Sequence, residues 1–319
     1  MPIGEFDLIA KYFSRPVRRA ILGAGDDCAL LQPTAGMQWA VSTDALVEGR
    51  HFLSTVAPRA LGHKCLAVNL SDLAACGARP VAFTLSLTLP RVDEAFLAGF
   101  ADGLYALAAR HDIELVGGDT TAGPLNVCIT VLGEVPPGQA LHRVGARPGD
   151  EVWVSGRLGD ARLALEAFRG GVSLPGEAFD EVRRAMEWPE PRVALGLALR
   201  GLATAAIDLS DGLSGDIAHV LRASRVGASL RLAEIPRSLH VQACAEPLRR
   251  TCLVAGGDDY ELLFCAARAD RARVREAAAA VGMTVSCIGT IEEEAGLRIF
   301  DEDGQAVTSA ERAFDHFLP

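Results

Sequence analysis

Apolar residues recur three and four positions apart over residues 5–13, 58–76 and 93–110, the spacing that gathers them on one face of an α-helix. Between these runs the pattern changes. Residues 38–42, 81–89, 113–116 and 126–135 are dense in aliphatic and β-branched side chains, which predicts strands. Pro136-Pro137-Gly138 interrupts the series, and the turn-rich residues 145–150 lead into a further strand at 151–155. The boundary falls there, giving a first domain of residues 1–138 and a second of residues 139–319. The second domain repeats the mixed style. Helices are expected at 158–168, 192–201, 213–223 and 271–281, and strands at 205–207, 229–232, 261–265 and 284–288. Residues 170–177 and the acidic run 292–294 read as solvated turns. The whole pattern predicts two domains of α/β (α+β) layers.

Composition narrows the class. The chain has 319 residues, half of them hydrophobic, with a formal net charge of −10. Its longest stretch without a charged side chain, residues 28–43, is broken by Pro33 and Gly36 and is shorter than the ~18 apolar residues of a membrane span. The start, Met1-Pro2-Ile3-Gly4-Glu5-Phe6-Asp7, carries acids where a secretion signal needs a basic lead, so a cytoplasmic protein without membrane attachment is expected. The eight cysteines form no C-x-x-C pair and fit small buried thiols better than a disulfide frame or a zinc site. Among 31 cationic side chains only Lys11 and Lys64 are lysines, so phosphate chemistry here cannot lean on lysine. No basic run exceeds pairs such as Arg183-Arg184 and Arg249-Arg250, which argues against a nucleic-acid partner.

The informative feature is a junction repeated six times, in which an apolar run ends in Gly, Ser or Thr and then Asp. It occurs at Gly25-Asp26-Asp27, Ser42-Thr43-Asp44, Asn69-Leu70-Ser71-Asp72, Gly117-Gly118-Asp119-Thr120, Asp208-Leu209-Ser210-Asp211-Gly212 and Gly256-Gly257-Asp258-Asp259. Each alone has a second explanation, because Asp and Ser cap helices and Gly-Asp makes turns. A cap is particularly credible for Asp211, which precedes the helical run 213–223. Together the junctions point elsewhere. Anionic oxygens converging in one place repel unless cations lie among them, and the counter-ion suited to carboxylates, hydroxyls and phosphates is Mg²⁺. The paired glycines at 117–118 and 256–257 would let backbone N–H groups approach a phosphate. Other phosphate-handling signatures are missing: there is no Gly-Lys pair for a P-loop, and no H-R-D or D-F-G kinase motif. Gly23-Ala24-Gly25 meets only two glycines of a dinucleotide fingerprint, with Cys28 at the third.

In this order and at this spacing the junctions resemble the thiamine-monophosphate kinase family, within the superfamily that includes aminoimidazole ribonucleotide synthetase and selenophosphate synthetase. The leading Gly4-Glu5-Phe6, the Ser42-Thr43-Asp44 stretch followed by His51-Phe52, and the terminal Phe314-Asp315-His316-Phe317 are the portions that resemble this kinase rather than the superfamily at large. The resemblance implies an ATP-dependent transfer of phosphate to thiamine monophosphate, with several Mg²⁺ ions and ATP as co-substrate. It implies an N-terminal mixed sheet with helices that dimerises, a C-terminal α/β domain, and a homodimer. It assigns the metal to Asp27, Ser42, Thr43, Asp44, Asp72, Asp119, Asp208 and Asp211. The nucleotide falls to Gly118, Asp119, Arg143 and Ser210, and the substrate to His51, Asp258 and Phe314. Asp258 stands where relatives often carry Glu, and Phe314 keeps ring stacking while lacking the hydroxyl of a tyrosine seen in relatives. The competing readings are another ATP-dependent member of the superfamily, a non-catalytic Mg-nucleotide-binding module and a Mg²⁺-dependent phosphatase.

Overall fold

The computed structural model describes residues 4–307; the expected aromatic contact at Phe314 lies outside the described residues. The chain divides into two compact units. One runs through Leu73 and resumes over Ala78–Gly138; the other takes Ala74–Gly77 and the chain from Gln139 onward. Among the described residues no helix is long and apolar enough to cross a membrane. The expectation of buried thiols is met at Cys65, Cys252 and Cys265 but not at the exposed Cys28.

The first unit contains α1 (Glu5–Tyr12), β1 (Ala20–Leu22), β2 (Leu30–Leu31), β3 (Gln38–Val47), α2 (Pro58–Ala75), β4 (Arg79–Leu89), α3 (Glu94–Arg110), β5 (Glu114–Ala122) and β6 (Asn126–Val135). Its main sheet has the order β3-β6-β4-β5, with β4 and β5 parallel and the other pairs antiparallel. Asp93 caps α3, its carboxylate accepting from the N–H groups of Ala95 and Phe96. Two strands run further than their sequence predicts. β3 continues through Ser42-Thr43-Asp44 because alternation persists, with Leu46 inward and Thr43, Ala45 and Val47 outward. β5 passes through Gly117-Gly118-Asp119, since pairing with β4 outweighs the turn preference of glycine.

The second unit contains β7 (Glu151–Ser155), α4 (Asp160–Phe168), α5 (Gly176–Glu187), α6 (Val193–Ala198), β8 (Ala203–Asp208), α7 (Leu213–Ser224), β9 (Gly227–Arg231), α8 (Leu239–Gln242), α9 (Glu246–Val254), β10 (Leu262–Ala266), α10 (Arg271–Ala280), β11 (Val285–Glu292), β12 (Gly296–Phe300) and β13 (Ala306–Val307). Its seven strands follow the order β13-β12-β9-β11-β7-β10-β8, antiparallel except for β9 beside β12. β7, an interior strand between β11 and β10, is buried along its whole length. The solvated turn expected at 170–177 is present as an irregular, mostly exposed connection over 170–175; its last two residues open α5, which buries Ala178, Val182 and Met186, spaced four apart on one face. At the acidic run, Glu292 is the last residue of β11 and pairs with Arg298 and the Ser229 hydroxyl, so it is structural rather than merely solvated.

Candidate functional site

In the first unit β3 lies at the edge of its sheet, so N–H groups on its open side need partners from outside the sheet. The N–H of Asp44 donates to Oδ1 of Asn69 at 3.1 Å, and Asn69, fully buried on α2, donates through Nδ2 to the Cys65 carbonyl at 3.0 Å. One carboxamide therefore ties the strand to the helix. Two residues earlier, on the same strand face, the Ser42 hydroxyl donates to Asp72 at 2.5 Å, and Asp72 stands three residues beyond Asn69 on α2. Ser42, Asp44, Asn69 and Asp72 thus meet where β3 lies against α2. Thr43 faces the other way, its hydroxyl donating to the Ile129 carbonyl at 3.0 Å beside the Thr130 hydroxyl at 2.9 Å.

Asp119 is on β5, at the opposite edge of the same sheet. Its neighbour Gly118 pairs in register with Leu85, which pairs with Ile129, which pairs with Asp44. Three strand spacings of about 4.8 Å separate the two edges by about 14 Å. Gly118 has φ of +147°, and a Cβ there would stand 1.8 Å from the Leu85 carbonyl oxygen, so no other residue fits this crossing. His51 closes the turn after β3: its Nδ1 accepts the Val47 N–H at 3.0 Å, which leaves Nε2 to carry the proton of the neutral ring. Asp27 is exposed in an irregular segment, its N–H donating to Asp26.

In the second unit two of the junctions are zipped together. The N–H of Leu209 donates to the Glu261 carbonyl, that of Tyr260 to the Leu209 carbonyl and that of Asp258 to the Ser210 carbonyl, each at 2.8 Å. Gly257 permits this approach, since a Cβ there would stand 2.4 Å from the Ser210 carbonyl oxygen. The close packing of this neighbouring loop by itself requires glycine at 257. Asp258 (φ 72°) and Tyr260 (φ 50°) both take the left-handed conformation that side chains disfavour, a strain fixed by the surrounding bonds. Asp208 ends β8 and is buried; Ser210 and Asp211 follow it, half-buried. Arg143 is exposed in the connection before β7, its carbonyl accepting from the Ser224 hydroxyl.

Two positions here, Asp216 and Glu261, escaped the sequence reading, and Asp259 entered it only as part of a junction. Asp216, buried in the first turn of α7, accepts the N–H groups of Ser210, Asp211 and Gly212 on one oxygen, each at 3.1 Å. Burial and the nearby Asp211 charge push its carboxyl up to about 7, while the three donors pull the other way. The N-cap position of α7 is Gly212, so the cap expected of Asp211 is not the arrangement found. Glu261, also buried, accepts from the Ser155 hydroxyl at 2.5 Å and from Arg192 through both Nε, at 2.6 Å, and Nη2. Asp259 accepts the Gly159 N–H at 3.0 Å, and burial holds its carboxyl well above the usual range. Asp259 and Glu261 line a cavity of about 430 Å³ with Arg157, Asp160, Trp188 and His240.

Within each unit, then, the aspartates gather as small groups. Among the described residues no three His, Cys, Asp or Glu side chains stand close enough to hold a metal by themselves. The donors are oxygens throughout, a hard set that suits Mg²⁺, which binds through one or two carboxylates and completes its shell with water and substrate phosphate.

Two family models match the chain: AIR synthase related protein, N-terminal domain, over residues 25–135, and the corresponding C-terminal domain over residues 147–302. The chain is similar to the thiamine-monophosphate kinase of Escherichia coli, 44% identical over 323 residues and covering 99% of each chain. Its structure is similar to that of the thiamine-monophosphate kinase from Stenotrophomonas maltophilia, with a TM-score of 0.85, 42% identity and coverage of 94% and 95%. It is also similar to AaThiL complexed with AMPPCP and TMP, at a TM-score of 0.78, 28% identity and coverage of 90% and 89%.

Proposed function

Since the chain belongs to the thiamine-monophosphate kinase family, within the AIR synthase related proteins, we propose that it transfers the γ-phosphoryl group of ATP to thiamine monophosphate, giving thiamine diphosphate and ADP. The observation that carries this reading is a likeness that runs end to end rather than over one motif. The nucleophile is a substrate phosphate oxygen, already anionic at neutral pH, so no side chain serves as general base. What the protein supplies is alignment of two polyanions and stabilisation of charge during in-line transfer.

Asp27, Ser42, Thr43, Asp44, Asp72, Asp119, Asp208 and Asp211 are the residues that would hold several Mg²⁺ ions. Bound there, magnesium would supply the positive charge that offsets the phosphate oxygens of both reactants. Asn69 anchors the backbone of Asp44, and the Ser42 hydroxyl orients the Asp72 carboxylate. Thr43, whose hydroxyl sits beside Ile129 and Thr130 of β6, would contribute through that hydroxyl. Gly118, Asp119, Arg143 and Ser210 take the nucleotide, the planar fork of Arg143 gripping two phosphate oxygens. His51 donates from Nε2 to the substrate phosphate, and Asp258 accepts from the amino group of its ring.

The working form is a homodimer. One protomer holds Asp44 and Asp119 at opposite edges of one sheet, too far apart for a shared ion, whereas a second copy packed on the first unit brings another set of edges. The exposed apolar residues Ile21, Leu30, Val41 and Val47 of the first unit supply the surface for that contact. The test is a panel of acceptors offered with ATP. Turnover with thiamine monophosphate, and none with formylglycinamidine ribonucleotide or selenide, is expected; the reverse pattern overturns the reading.

A further inference from the structure

The loop over residues 209–212 has no uncommitted N–H. That of Leu209 is taken by the Glu261 carbonyl, and those of Ser210, Asp211 and Gly212 converge on one carboxylate oxygen of Asp216. Successive N–H groups pointing at one anionic oxygen are how backbone commonly cradles a phosphate. Here the accepting oxygen belongs to the chain itself. The loop's carbonyls are held as well, Leu209 by Tyr260 and Ser210 by Asp258, so the backbone carrying Ser210 and Asp211 is fixed from both sides.

We propose that Asp216 is a positioning residue for phosphoryl transfer: an internal acceptor oxygen that fills the backbone cradle and presets Ser210 and Asp211 for the magnesium nucleotide. This rests on the reading that Ser210 and Asp211 serve that nucleotide. Two consequences follow. The N–H groups of 210–212 are withheld from substrate phosphates, so the side chains meet the ligand. A cradle deprived of its carboxylate also becomes a small anion site, which a loop held only by helix packing would not.

The test compares Asp216→Asn and Asp216→Ala with the unaltered enzyme, measuring kcat and KM for Mg-ATP and for thiamine monophosphate, with and without sodium formate against a sodium chloride control. A misplacement of about 1 Å costs up to roughly 10²-fold, so kcat/KM for Mg-ATP in Asp216→Ala is expected to fall by about that factor, with KM for thiamine monophosphate little changed. Formate, which restores a carboxylate to the cradle, is expected to recover about tenfold in Asp216→Ala and to leave the unaltered enzyme as it was. If Asp216→Ala does not fold, the near-isosteric Asp216→Asn decides: a selective loss toward Mg-ATP supports positioning. Unaltered kinetics in the folded variants, equal losses for both substrates, or a lower melting temperature with kinetics intact and no formate effect overturns it. Failure of the unaltered enzyme to form thiamine diphosphate would instead overturn the reading on which the proposal rests.

Discussion

Replacing Arg192 with leucine tests how the second unit holds its signature loop. Glu261 is 5% exposed and accepts from Ser155 once and from Arg192 through two nitrogens. Burial works to lower the arginine's proton affinity, yet the hydrogen bond and charge of Glu261 outweigh it, so the guanidinium stays charged. Removing Arg192 leaves a buried carboxylate with a single hydroxyl donor, and breaking a buried pair in this way costs about 3–5 kcal/mol. The Arg192 side chain keeps 21% exposure, so water softens the loss toward the lower figure. At roughly 2–4 °C per kcal/mol for a unit of this size, ~3 kcal/mol corresponds to a fall in melting temperature of about 6–12 °C. Calorimetry of the purified variant measures it. The double variant Arg192→Leu/Glu261→Leu removes the stranded charge and is expected to melt above the single variant. A single-variant shift below about 2 °C, or a double variant that melts lower still, refutes the reasoning.

Asp44→Asn is expected to keep its melting temperature while kcat falls about 10²-fold or more, because the anchored backbone remains and the charge is lost; near-normal kcat at saturating magnesium contradicts this. Gly118→Ala forces a left-handed φ and an overlap with the Leu85 carbonyl, so thermal denaturation is expected to register a loss of about 2–4 kcal/mol in the first unit, and an unshifted transition argues against the crossing described. For Glu134, burial alone would raise the carboxyl, but the Thr34 N–H, the Thr34 hydroxyl and Arg79 outweigh it and hold it below the usual carboxylate value of 4.5. A lowered folded-state value means the unfolded chain binds the proton more tightly. The stabilisation is then present above that value and disappears as pH falls through the lowered one. The gap in melting temperature between the unaltered chain and Glu134→Gln should be full at pH 7 and close on acidification; a gap of constant size contradicts it.

Much of this architecture is legible in the residue pattern, for physical reasons that also mark where legibility stops. The strand over Asn126–Val135 and the helices beginning at Glu94 and Leu213 stand out because their faces alternate or recur with few interruptions. Glycine is where local reading fails. Gly117-Gly118 reads as a strand end, yet it is a strand crossing that only a missing side chain permits, a constraint set by Leu85 some thirty residues away. The helix Gly176–Glu187 hides behind Gly170-Gly171 and Pro175-Gly176, whose turn preference masks three buried residues four apart. The aspartate junctions mark the candidate site, but their supports do not stand out. Asn69 falls inside a junction with nothing to mark it as an anchor, Asp216 looks like an ordinary helix-surface residue until the backbone N–H groups it serves are known, and Arg192 meets Glu261 only through the fold.

The most direct test of the central claim follows the label from γ-³²P-ATP incubated with thiamine monophosphate, with products separated by chromatography and EDTA added to a parallel sample. The account predicts label in the terminal phosphate of thiamine diphosphate, one ADP for each molecule formed, and no product when the chelator is present. Label released as inorganic phosphate without thiamine diphosphate, or transfer that proceeds undiminished in EDTA, would contradict it.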